Sequence, residues 1–217
     1  HCVAPRTTDE KWVTAQNGST VYSTLFEKLV LLCAVKAATL DCSGAAVEME
    51  GGKPGWNDAL NGLPAQFGAS LAEGCELLRL LDYLIARQPL YPAQLELQEE
   101  IAALLWEISA LAAGERVDEE QWYERNRIRD RYRAQTRQGF SGKTEVVSAE
   151  RLLQALKTLA AALRTAIDAV TAENGGICPT YYSYQALGIR NANGGLLPTQ
   201  LARRSLPLFL EGPTRWL

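Results

Sequence analysis

The sequence predicts an all-α protein whose helices are joined by long loops. Five stretches place apolar residues at three- and four-residue steps, the spacing that lines one face of a helix. Gly, Pro and Asn gather between these stretches rather than inside them. Extended structure is suggested only near the C-terminal end, where Tyr181, Tyr182 and Tyr184 fit a short strand or a loop equally well. The 217 residues are enough for one sizeable core, and a single domain over 1–217 is expected.

The first helix is expected from about Val21 to Leu40, with Tyr22, Leu25, Phe26, Leu29, Leu32 and Cys33 on one face. Ser19 or Thr20 can cap its start, and Asp41-Cys42-Ser43-Gly44 stops it. The second runs from about Gly68 to Gln88 on the stripe Leu71, Cys75, Leu78, Leu81 and Ile85. After Pro89 and Pro92 a third covers about Ala93 to Ala113, with Leu97, Ile101, Leu104, Leu105, Ile108 and Leu111 inward and Gly114 at its end. Asp118 with Gln121 reads as a capping box for a fourth, to about Gln138. Ser148 opens a fifth, whose Leu152, Leu156, Leu159, Leu163, Ile167 and Val170 keep the period to about Glu173. The segments 44–67 and 174–217 are left as long irregular stretches. They are too rich in Trp, Tyr and Leu for disorder, and long loops on a helical scaffold are commonly functional. Paired helices with such loops fit a helical toroid or a plain bundle.

The formal net charge of -3 disfavours a polyanionic partner, so no nucleic acid is expected. The longest apolar run, Leu25 to Leu40, is broken by Glu27, Lys28 and Lys36, so no membrane span is expected either. No P-loop, dinucleotide fingerprint or G-x-S-x-G elbow occurs. The five cysteines show no metal-ligand spacing, and the single His removes the usual co-ligand. No metal is expected, and a reducing, cytoplasmic compartment fits best. A start at His1 without Met and an end at Arg215-Trp216-Leu217 read as a segment of something longer.

Chemistry concentrates in the run GKPGWNDALNGLP over 52–64, entered through Glu48-Met49-Glu50. Gly51, Gly52, Pro54 and Gly55 favour an irregular backbone that can approach a ligand closely. Trp56 offers a flat apolar face suited to a sugar ring, and Asn57 and Asp58 follow as adjacent polar groups. A carboxyl beside an aromatic wall is harder to ionise, and can then protonate a leaving glycosidic oxygen near neutral pH. The plainer alternatives are that Asp58 caps the following helix and Trp56 anchors a core. Glu48 and Glu50 are secondary candidates, and Lys53 beside Glu50 can orient Asp58 or form a surface pair.

The Trp56-Asn57-Asp58 step resembles the Trp-Asn-Asp motif of the cellobiose phosphorylases and related inverting disaccharide phosphorylases. The run from Val21-Tyr22-Ser23-Thr24-Leu25 through Pro64, Cys178-Pro179-Thr180-Tyr181-Tyr182, and the stretch Leu206 to Pro213 extend the likeness over most of the chain. Only the Trp-Asn-Asp segment is specific. The resemblance implies part of an (α/α)6 toroid binding a β-glucoside, with Asp58 as general acid and Trp56 in a sugar subsite. It also implies a disaccharide or oligosaccharide as substrate and inorganic phosphate as co-substrate, attacking the anomeric carbon with inversion. No other cofactor is implied, and a homodimer of the full-length protein is compatible with it.

An inverting hydrolase would need a second carboxylate roughly 6.5–9.5 Å away to activate water. Phosphate is already an anionic nucleophile, so one carboxylic acid and a phosphate pocket suffice. The chain departs from the family in lacking the Glu-Asn element followed by His, and its only His is His1. On this reading the segment supplies the acid without the whole phosphate site and can be inactive alone. The competing expectations are a non-catalytic carbohydrate-binding or interaction module, and an inverting hydrolase on the same scaffold.

Two further groups have simpler readings. Arg125, Arg127, Arg129, Arg131, Arg133 and Arg137 fall in the fourth helix with Trp122, Tyr123 and Tyr132. The acids Asp118, Glu119, Glu120, Glu124 and Asp130 nearly balance them, which favours a solvated, ion-paired helix. Tyr181, Tyr182 and Tyr184 can form an acceptor-sugar platform or pack a strand, and Arg203-Arg204 read as an exposed loop pair.

Overall fold

The computed structural model describes residues 13–48, 68–114, 119–192, 195–207 and 210–217. In chain order these form helix α1 (Leu25–Ala37), strands β1 (Val47–Glu48) and β2 (Gly68–Ser70), and helix α2 (Leu71–Ala86). Strand β3 (Gln94–Gln98) leads into α3 (Glu99–Ala112), followed by α4 (Glu119–Thr136). Strand β4 (Thr144–Ser148) leads into α5 (Ala149–Glu173), followed by β5 (Tyr181–Ala192), β6 (Gly195–Ser205) and α6 (Glu211–Trp216).

The all-α expectation, and with it the (α/α)6 toroid, is overturned. The fold is mixed: an antiparallel four-stranded sheet in the order β1-β2-β5-β6 and a two-stranded ribbon of β3 with β4 stand beside the helices. The physical cause lies in residues whose period is two rather than 3.6. In Gln94-Leu95-Glu96-Leu97 only Leu95 and Leu97 turn inward, and opposite them Glu145 and Val147 do the same while Val146 stays exposed. What looked like the first turn of a helix is the strand that feeds it. The segment after Asn174, read as irregular, holds the longest strands among the described residues. Tyr182↔Ser205 to Ala192↔Gly195 pair across a hairpin with a bulge around Gly188.

The helical predictions hold best for α2 and α5. In α2, Leu71, Cys75, Leu78 and Leu81 are buried, and Ser70 Oγ accepts from the Glu73 amide at its start. In α5, Ser148 Oγ accepts from the Arg151 amide, and Leu152, Leu156, Leu159, Leu163, Ile167 and Val170 are all buried. Helix α1 is shorter than expected and begins at the Thr24 cap, not at Ser19 or Thr20. Its inward face agrees only in part, since Cys33 is buried and Phe26 and Leu29 pack against the core. Tyr22 and Leu25 are 86% and 77% exposed, whereas Glu27, Val30, Cys33, Ala34 and Ala37 are buried. Glu27 is inside because its Oε1 accepts the Gln98 amide at 2.8 Å, where β3 passes into α3. A helix start leaves amides without intrahelical partners, and this carboxylate satisfies one of them.

One core joins α1, α2, α3 and α5, with Ile128 of α4, Val147 of β4 and Tyr182 of β5 at its margins. The sheet enters it through Ala69 and Val47, both almost fully buried. Among the described residues no helix is long and apolar enough to cross a membrane.

Candidate functional site

Between α1 and β1 the chain turns back on itself. The Asp41 amide donates to Ala46 O at 2.8 Å, and Gly44, at φ 71, makes the reversal that other residues resist. Asp41 holds this turn from inside. It is 1% exposed, and its Oδ1 accepts from Ser43 Oγ at 2.7 Å and from the Ala45 and Ala46 amides at 3.3 and 3.2 Å. Its Oδ2 accepts from the phenol of Tyr184 on β5, so one carboxylate ties the turn to the sheet. Burial and the nearby Asp41 carboxylate push the Tyr184 phenol well above its ordinary value, keeping it a donor. The same surroundings raise the Cys42 thiol to about 11 and leave it a poor nucleophile at neutral pH.

Helix α4 packs its own polar row against this turn. Arg125, 7% exposed, donates from Nη1 to Leu40 O at 2.9 Å and Asp41 O at 2.8 Å, and from Nη2 to Gln121 Oε1 at 3.1 Å. One helical turn on, Arg129 donates to Glu48 Oε2 at 3.0 Å, and the Trp122 indole N–H donates to Glu48 Oε1. Arg133 lies at the exposed end of the same row, close enough for the Glu48 charge to be felt at its guanidinium. Burial pushes the Glu48 carboxyl above its ordinary value, opposed by the hydrogen bonds and the positive charge it receives.

Thus the six arginines are not equivalent. Arg125, Arg129 and Arg133 recur every four residues; the first two face inward and Arg133 ends the row at the surface. Arg127 and Arg131 point outward to Glu124 and Glu107. The ion-paired reading fits Arg127, Arg131 and also Arg129, which pairs with Glu48; Arg125 instead binds backbone carbonyls. The inward row was missed, although its four-residue spacing with Gln121 and Trp122 was the signal that could have found it.

Glu48 closes strand β1, and β1 pairs with β2 in the register Val47↔Ser70 and Glu48↔Ala69. The described residues that flank the segment 49–67 are therefore neighbours, and Glu48 among them belongs to the Glu48–Trp122–Arg129 cluster. That segment contains the expected catalytic Asp58 and the expected sugar contacts Glu50, Lys53, Trp56 and Asn57. All five lie outside the described residues.

Tyr181 and Tyr182 are described, and neither ring is an open platform. Tyr182 is 1% exposed, accepts from Asn174 Nδ2 at 3.3 Å, and lies under the Arg203 guanidinium, 4.7 Å from ring centre to Cζ. Tyr181 is 8% exposed and donates to Glu211 Oε2 at 3.3 Å. Arg203, expected in a loop, sits in β6, paired with Glu173.

Beside the Asp41 turn, and lined in part by it, lies a groove of about 1040 Å³. Its lining mixes Cys42, Ser43, Arg125, Lys157 and Arg203 with apolar Leu77, Ile108, Leu111 and Val170. Among the described residues no group of three or more His, Cys, Asp or Glu could hold a metal ion. No protein-family model matches the chain, and a search of curated proteins finds no match.

Proposed function

We propose that this chain is a carbohydrate-active segment that carries out, or contributes the acid for, inverting phosphorolysis of a β-glucoside. Asp58 donates the proton to the bridging oxygen. Trp56 stacks on the sugar, and Asn57, Lys53 and Glu50 contact its hydroxyls. Inorganic phosphate takes the anomeric carbon.

The observation that supports this reading is the pinning of both ends of the Trp-Asn-Asp segment. Glu48 pairs with Ala69 across the strands, and its carboxylate accepts from the Trp122 indole and the Arg129 guanidinium. A rigid stem is what a reactive group on a long connection requires, since misplacement by about 1 Å can cost on the order of a hundredfold in rate.

The test is incubation with β-linked glucose disaccharides, with and without inorganic phosphate, followed by assay for a sugar 1-phosphate. Phosphate-dependent release that disappears in Asp58→Asn, with the circular dichroism spectrum retained, is the expected result. Turnover without phosphate would replace the reading by hydrolysis. Disaccharide binding that is indifferent to Asp58→Asn, with no turnover, would reduce the chain to a binding module.

A further inference from the structure

We propose that Cys75 and Cys178 are a redox pair that closes to a disulfide in the presence of a small-molecule disulfide, tying α2 to the segment that enters β5. The backbone brings them together. The Leu71 amide donates to Thr180 O at 2.8 Å, and Ser70 pairs with Tyr181 in the sheet. Cys75 stands one helical turn beyond Leu71, and Cys178 stands two residues before Thr180, so both thiols meet beneath that backbone bond. Both lie in the core, at 2% and 1% exposure, with the Cys75 and Cys178 side chains hydrogen-bonded to each other.

The pair is also chemically asymmetric. The contact between the two sulfurs lowers the Cys178 thiol, while the same contact and burial raise the Cys75 thiol. The remaining described thiols are poorer nucleophiles, with burial pushing Cys33 to about 12 and Cys42 to about 11. The exchange is balanced with oxidised glutathione. The Cys178 thiolate attacks one glutathione sulfur, the glutathione S–S bond breaks, and one glutathione leaves. Cys75 then gives up its proton, and its sulfur attacks Cys178 in the mixed disulfide, expelling the second glutathione. Two cysteine S–H bonds are lost, one S–S bond is formed, and oxidised glutathione takes up two electrons and two protons. Because both thiols are shielded, the exchange waits on local opening and is slow.

The experiment is incubation of the folded chain in a series of reduced and oxidised glutathione buffers, then alkylation and non-reducing peptide mapping. The expected product is a Cys75–Cys178 linked peptide that dithiothreitol reverses. Closing a loop of about 100 residues should raise Tm by roughly 5–10 °C, a rise absent in Cys75→Ala and in Cys178→Ala. The mapping needs no variant, so misfolding of either substitution leaves it decisive. Glutathione carried on Cys178 without the link, or both thiols still reduced at the most oxidising buffer, would overturn the proposal.

Discussion

Glu48 and Arg129 form the least exposed of the ion pairs among the described residues, at 3.0 Å with side chains 23% and 15% exposed. Removing the cation leaves a half-buried carboxylate whose other partner is only an indole N–H. Arg129→Met should therefore cost about 2 kcal/mol, between the limits for exposed and fully buried pairs. In a chain of this size that lowers Tm by roughly 4–8 °C. Glu48→Gln should cost less, because the neutral amide keeps the Trp122 bond and is cheaper to bury. The double variant should lose less than the sum of the singles. Strict additivity in urea unfolding would mean that the two side chains do not act on each other.

The same carboxylate sets a pH dependence. Burial raises its folded-state pKa above the ordinary glutamate value, so the folded state holds its proton longer than the unfolded chain. Its contribution is therefore fully present below the ordinary value and is lost as pH rises through the elevated one. Urea midpoints measured from about pH 4 to 8 should decline over that window in the wild type and decline less in Glu48→Gln. An identical slope in both proteins would show that Glu48 is solvated.

Tyr184 offers an independent check on the turn beside this pair. Tyr184→Phe removes the donor to Asp41 Oδ2 and leaves a buried carboxylate oxygen short of a partner, at a cost of about 1–2 kcal/mol. The phenol's pKa is raised by burial and by Asp41, so the bond is intact below the ordinary tyrosine range and is lost as pH rises through the higher value. Absorbance at the tyrosinate band should show an ionisation step linked to alkaline unfolding. The step should shrink by one tyrosine in the variant. An unchanged step would place Tyr184 among the freely titrating phenols.

Which of these features were legible in the sequence depends on whether local pattern and tertiary demand agree. In α5 they agree: a serine cap opens it, and leucines repeat along the buried stripe to Val170. In α1 they conflict in part: Tyr22, Leu25 and Leu32 of the expected stripe are exposed, Phe26, Leu29 and Cys33 do meet the core, and Glu27 is drawn inward by the Gln98 amide. No residue within α1 announces that demand. Strands β3 and β4 were hidden for another reason. Each runs directly into a helix, and Leu97 satisfies both the two-residue and the three-to-four-residue period. The β5–β6 hairpin carried a readable signal, Asn193-Gly194 between two stretches rich in Tyr, Leu and Ile, which outweighs the proline at Pro198 because β6 is an edge strand.

The site was legible only in part. The Trp-Asn-Asp segment stands out as sequence, whereas the polar contacts at Glu48 and the Asp41 turn come from Trp122, Arg125 and Arg129, more than seventy residues further on. Their role depends on which face of α4 meets the Asp41 turn. Charge counting sees six arginines and several acids, and cannot separate the inward row from the outward one.

Gly74 gives the last test, because its ordinary and its local consequences have opposite sign. Replacing a glycine inside a helix by alanine usually stabilises by up to about 1 kcal/mol. Here a Cβ would collide with the carbonyl oxygen of Ala45 and lie 3.1 Å from its carbon. Both atoms are backbone in the turn that Asp41 holds, so neither swings aside as a side chain could. Overpacking of this kind costs about 1–3 kcal/mol, and more where backbone must move. Gly74→Ala should therefore be destabilised by about 2 kcal/mol net, despite its better helix propensity. Displacing Ala45 also pulls on the amides that Asp41 accepts, so the alkaline tyrosine step should begin at lower pH in this variant. A Tm equal to or above that of the wild type would mean that α2 and the turn are not in contact.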